Sequence, residues 1–161
     1  VFIMHKLEKI WLGLGMFSLV FFLIIIGIGA FHSGHQPAAS GREYIDPELV
    51  DKDARFKEPG LKKVEGKDYD YELYIVAQAF LYSPQEVEIP KGAKVKISGT
   101  TKDVVHGFGV AGTNINMMLE PGHISTYTTT FDQPGEYLTV CNEYCGTGHT
   151  DMSTMIKVVE K

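Results

Sequence analysis

Four residues with metal-binding side chains crowd into one short stretch, "VCNEYCGTGHTDM", in the order Cys141, Cys145, His149 and Met152. These are the chain's only two cysteines. Thiolate and thioether are soft ligands that suit copper, and imidazole suits it too. A thiolate, two histidines and a weak axial methionine make the mononuclear copper pattern of electron carriers. Cys145, His149 and Met152 would supply three of these from a single loop. His106 in "DVVHGFGV" is the candidate second histidine, at the edge of a β segment and followed by glycines that permit close approach. Cys141 is then surplus to one copper. Two thiolates on one loop can bridge two ions, each completed by one histidine and one weaker ligand. An electron shared across such a pair changes each bond less, which favours fast transfer.

Three other readings compete. A disulfide between residues four apart closes a very small loop, constrains the unfolded chain little, and leaves His149 and Met152 without a reason. Zinc takes Cys and His at similar spacings, but has little use for a thioether. Chance and packing are the third, and Met117, Met118 and Met155 are read as core residues on that basis.

The elements that would hold these ligands are strands. "YDYELYIVAQAFLY" is aromatic and β-branched. Val87, Ile89, Val95 and Ile97 alternate with charged residues around a Pro-Lys-Gly turn, and "ISTYTTTF", "EYLTV" and "MIKVV" follow with Gly and Pro turns between. Short strands without intervening helices predict an all-β sandwich or barrel.

The N-terminal part is different. Residues 11–31, "WLGLGMFSLVFFLIIIGIGAF", carry no charge, and as a helix they would cover about 30 Å, the hydrocarbon thickness of a bilayer. The run exceeds the ~7–15 residues of a signal-peptide core, so a retained anchor in membrane lipid is expected, with Trp11 at the interface. Lys6 and Lys9 precede the span and no Lys or Arg follows it closely. That predicts a cytoplasmic N-terminus, with the rest on the outer, periplasmic side of the cell membrane. The expected organisation is an anchor over 1–35, a linker over 36–68 and a β domain over 69–161. In the linker, "IDPELVDKDARFKEPG" predicts a short solvated helix capped by Asp46 and closed by Pro59-Gly60, and His32 and His35 are read as exposed loop residues. Residues 1–31 carry +1, so the total of −5 leaves −6 beyond them. That balance argues against a nucleic-acid partner.

"HGF", "GTNINMMLEPG", "PGEY" and "CNEYCGTGH" with Met152 resemble the dinuclear copper (CuA) domain of subunit II of the haem–copper cytochrome c oxidases. One span before the domain is most similar to the B-type branch. The resemblance implies a cupredoxin-like Greek-key fold behind one transmembrane helix. It implies two copper ions bridged by Cys141 and Cys145, with His106 and Met152 completing one, and His149 and the Glu143 carbonyl the other. In some members the acid at the Glu143 position also binds magnesium at the subunit I boundary, although the B-type branch often lacks that acid. The resemblance further implies cytochrome c as donor, the haem-bearing subunit I as acceptor and site of oxygen reduction, and room for a small helical subunit beside the single anchor. "AQAFLY" resembles the aromatic stretch beside the copper site, so Phe80 and Tyr82 are candidates for donor docking or the electron route, with core packing as the alternative. Glu8 in "LEKIW" matches an acid at the mouth of a proton path in the B-type branch. Two other functions share parts of the pattern. One is the dicopper domain of nitrous oxide reductase, which follows a propeller and lacks such an anchor. The other is a membrane-tethered copper carrier or single-copper cupredoxin.

Overall fold

The computed structural model describes residues 5–32, with side chains as far as residue 29, and residues 43–160. The chain divides into two compact units, residues 1–37 and 38–161. In the first, helix α1 (Lys6–His32) is long and apolar enough to cross a membrane, at about 40 Å for its 27 residues. From Ile10 to Phe31 it carries no charged residue, the composition of a membrane span. The helix starts five residues ahead of the expected span. Glu8 Oε2 accepts the His5 backbone N–H at 2.8 Å, which caps the end and draws Lys6 and Lys9 into the first turns. His32, expected in a loop, is the last residue of α1, and His35 lies outside the described residues.

The second unit is a β sandwich. Its strands are β1 (Glu43–Tyr44), β2 (Gly60–Lys63), β3 (Tyr71–Gln78), β4 (Leu81–Ser83), β5 (Glu86–Pro90) and β6 (Lys94–Thr101). They continue with β7 (His106–Val110), β8 (Asn116–Leu119), β9 (His123–Thr130), β10 (Gly135–Val140) and β11 (Ser153–Val159). One sheet runs β1-β9-β6-β3-β2, with β4 also on β3, and the other runs β5-β11-β10-β7-β8. The turn at Lys91-Gly92 carries the chain from one sheet to the other rather than folding a hairpin, because β5 pairs in parallel with β11 and β6 in parallel with β3. Alternation along each strand sends one face inward. Leu73, Ile75, Ile97, Phe108, Leu119 and Ile156 meet there and are fully or almost fully buried. The expected all-β cupredoxin-like sandwich behind one apolar helix is the fold observed.

Residues 43–63 correct the sequence reading. They were expected to belong to a solvated linker, yet β1 pairs with β9 and β2 with β3. Ile45, Val50 and Phe56 pack with Val76 and Ile124 on the outer face of the first sheet. Burying side chains of this size is worth about 1.5–3 kcal/mol each, enough to fold a charged segment onto the sheet. Asp46 caps a 3-10 helix as expected, accepting the Glu48 N–H at 3.0 Å, but that helix ends at Lys52, well before Pro59-Gly60. Asp53 stops it and instead accepts from the Arg55 backbone and guanidinium at 2.8–2.9 Å. Met117 is buried as expected, whereas Met118, its neighbour on β8, points outward and is 45% exposed.

Candidate metal centre

The candidate ligand loop is the connection from β10 to β11. Val140 pairs with Ser153, and the Cys141 N–H donates to the Met152 carbonyl at 3.1 Å, so both ends of the loop are fastened to the sheet. Inside it, His149–Asp151 forms a 3-10 turn that brings His149 and Met152 back toward the cysteines. His106 arrives from the neighbouring β7, where it is the first residue. Gly107 beside it makes the approach workable, since a Cβ there would sit 1.8 Å from Asn142 Oδ1 and 2.7 Å from the Asn142 nitrogen. Asn142 spans this gap and donates to Asn116 Oδ1 at 2.9 Å.

Both thiols are free, with their sulfurs 3.7 Å apart. A disulfide would bring them to ~2.05 Å. Two sulfurs each ~2.3 Å from a shared ion at a tetrahedral angle would lie about 3.8 Å apart, as found here. His106 Nδ1 is 3.9 Å from Cys141 Sγ, and His149 Nδ1 is 3.7 Å from Cys145 Sγ. Met152 Sδ is 3.8 Å from Cys145 Sγ, and the Glu143 carbonyl oxygen is 3.1 Å from Cys141 Sγ. The donor atoms of His106, Cys141 and Cys145 fall within 4.8 Å of one another. Donor types and spacings therefore fit a soft metal, with a different histidine beside each sulfur. The Glu143 side chain is exposed while its carbonyl turns inward.

Water is kept from one side of the site, while Cys145 and His149 on the other stay partly exposed. His106 is 0% and Met152 1% exposed. Burial, with Cys141 adjacent, pushes the Cys145 thiol up to about 11, so a metal must displace its proton to bind. Asp103 orients His106: its Oδ1 lies 2.8 Å from His106 Nε2 and accepts from Thr101 Oγ1 at 3.0 Å. Burial pushes the Asp103 carboxyl upward, but the hydrogen bonds from His106 and from backbone N–H groups outweigh it and hold it below the usual range. Sequence reading missed Asp103 and Asn142. The first had a local signal, an acid three residues ahead of the candidate ligand His106.

Tyr82 is fully buried, its ring edge-on to Phe108 at 5.6 Å and its hydroxyl donating to the Gly107 carbonyl. It has no surface to offer a docking partner and packs in the core. Burial and the nearby Cys141 push its hydroxyl pKa upward. Phe80 is 38% exposed and lies against the ligand loop at Gly146 and Gly148. Glu8 belongs to the helical unit, where its carboxylate caps α1.

A family model described as "Cytochrome C oxidase subunit II, periplasmic domain" matches residues 67–159. The chain is 39% identical to a cytochrome c oxidase subunit 2 of Thermus thermophilus over 154 residues, covering 95% of this chain and 92% of that one. Among solved structures it is similar to a chain of a haem–copper terminal oxidase dimer at 32% identity and a TM-score of 0.72, covering 96% of this chain and all of that one. The periplasmic domain of subunit II of the Bradyrhizobium japonicum cytochrome oxidase shares the fold at 18% identity and a TM-score of 0.54, over 58% of this chain and 87% of that domain. A sulfur-rich loop on a β sandwich, an apolar helix ahead of it and these similarities agree: the chain belongs to the cytochrome c oxidase subunit II family.

Proposed function

We propose that this subunit takes electrons from reduced cytochrome c at a dinuclear copper centre and passes them to the haems of subunit I, where oxygen is reduced to water. Cys141 and Cys145 would be shared by the two ions, with His106 and Met152 holding one and His149 and the Glu143 carbonyl holding the other. When bound, the copper pair supplies a one-electron acceptor and donor of small structural change. The observation that carries this reading is the unlinked sulfur pair, 3.7 Å apart, with His106 beside one sulfur and His149 beside the other.

The protein's own part is to hold the ligands still and to shield His106, Cys141 and Met152 from water. Cys141 and Met152 are fixed by the backbone bond at the loop base, and His106 by its strand and by Asp103. Exclusion of water from His106, Cys141 and Met152 limits solvent reorganisation on electron transfer. Lys6 and Lys9 ahead of the span orient α1 with its N-terminus cytoplasmic, leaving the β domain on the outer side with the donor. An exposed Glu143 carboxylate is available to a magnesium ion at a subunit I contact. Glu8 lies at the cytoplasmic end of α1, on the side from which protons would enter.

The test is a copper count on the loaded full chain in detergent, together with its reduction by cytochrome c in the assembled oxidase. Two coppers per chain and prompt reduction are expected. One copper per chain would select the single-copper carrier and overturn the reading.

A further inference from the structure

We propose that Phe80 is a positioning residue for the copper-ligand loop: presented by a left-handed turn, its ring fills the slot between Gly146 and Gly148 and fixes the backbone that carries His149. Phe80 has φ +70°, the only positive φ outside glycine among the described residues. It is the second residue of the two-residue turn joining β3 to β4, between the paired Gln78 and Leu81. A positive φ at that place in a turn normally calls for Gly or Asn. A bulky residue stays in such a conformation only where its surroundings over-determine it, and here the ring supplies the reason.

The loop is shaped to receive that ring. A Cβ on Gly148 would lie 2.5 Å from Phe80 Cγ, and one on Gly146 would lie 3.0 Å from Phe80 Cε1. Gly148 has φ −93°, open to any residue, so its missing side chain is explained by the ring and not by its backbone. Gly148 directly precedes His149, whose N–H donates to the Gly146 carbonyl at 3.2 Å. The ring therefore bears on both residues that define the turn holding the ligand.

The turn is itself anchored to the opposite histidine. Asp103 Oδ2 accepts the Ala79 N–H at 2.5 Å, while Asp103 Oδ1 lies 2.8 Å from His106 Nε2. One carboxylate thus ties the Phe80 turn to His106, and the ring carries that constraint across to His149. Both histidines are referred to the same short turn.

This inference rests on the reading of Cys145 and His149 as ligands, and its test separates the two. The full chain in detergent is compared with Phe80→Gly, Gly148→Ala and the double variant. Phe80→Gly removes the ring and relaxes the turn, whereas Gly148→Ala pushes a methyl into the ring. In the copper-free chain the His149 amide should exchange about 10-fold faster in either single variant, and after loading, copper should pass to a chelator about 10-fold faster, the lower end of what outer-shell partners contribute. The His149 ring protons should shift in paramagnetic NMR, and Phe80→Tyr should restore all three readouts. Because Phe80→Gly vacates the space, adding Gly148→Ala to it should have little further effect. Unchanged exchange and copper release in Phe80→Gly, or a Gly148→Ala effect equal in both backgrounds, would overturn the proposal. A wild-type chain whose loaded copper leaves the His149 signals unshifted would sink the ligand reading while leaving the copper-free exchange result to judge the clamp.

Discussion

Adding one methyl at Gly107 should damage the protein far more than adding one at Gly109, two residues along the same strand. At Gly107 the new Cβ would lie 1.8 Å from Asn142 Oδ1 and 2.7 Å from the Asn142 backbone nitrogen. The side chain can turn away, but the nitrogen cannot move without shifting Cys141, which is held to Met152 by a backbone hydrogen bond. At Gly109 the first contact is 3.2 Å to Asn142 Nδ2, the far end of a side chain, which can yield by a few tenths of an ångström while keeping its hydrogen bond to Asn116. Overpacking against backbone costs about 1–3 kcal/mol, and at about 4 °C per kcal/mol for a domain of this size a cost of ~2 lowers the melting temperature by about 8 °C. Gly109→Ala should lower it by about 2 °C or less on the same scale. The assay is thermal unfolding of the copper-free full chain in detergent, followed by the absorption spectrum after copper loading, which Gly107→Ala should also distort. Equal melting temperatures for the two variants, with a normal spectrum in Gly107→Ala, would refute the claim that His106 and the ligand loop meet across a gap only glycine permits.

Cys141→Ser or Cys145→Ser should abolish the two-copper spectrum and electron entry together; a normal spectrum in either variant would disprove bridging. Met152→Leu keeps a side chain of similar volume at a site 1% exposed, so both coppers should stay while the reduction potential moves. Complete copper loss in that variant would contradict the weak role given to the thioether. Glu72 lies almost buried on β3, pushed upward by burial but held below its ordinary 4.5 by hydrogen bonding led by Ser98 and by Lys96 and Lys67. A depressed carboxyl stabilises the fold at pH above 4.5, and that contribution is lost as pH falls through the lower folded value. Urea unfolding of the copper-free chain should show a steeper acid decline for wild type than for Glu72→Gln, and parallel curves would remove Glu72 from the account.

The candidate site was legible because most of it is local. Cys141, Cys145, His149 and Met152 share one loop, and the glycines after His106 signalled the close approach now seen at Asn142. Alternation around residues 86–97 gave the strands. It gave neither the parallel pairings of β3 with β6 and β5 with β11 nor the change of sheet at Lys91-Gly92, because pairing is decided by distant partners. Residues 43–63 were misread for a related reason. Ile45, Val50 and Phe56 are scattered among charges without a clear period, and only the outer face of the first sheet gives them a place to pack. Phe80 was noticed as an aromatic residue, but its left-handed backbone and its fit to Gly146 and Gly148 exist only in the folded chain.

The central claim is that two copper ions share the sulfurs of Cys141 and Cys145, and electron paramagnetic resonance of the copper-loaded full chain tests it most directly. The account predicts the hyperfine pattern of one unpaired electron coupled equally to two copper nuclei, lost in Cys141→Ser. The pattern of an electron confined to a single copper nucleus in the wild-type chain would contradict it.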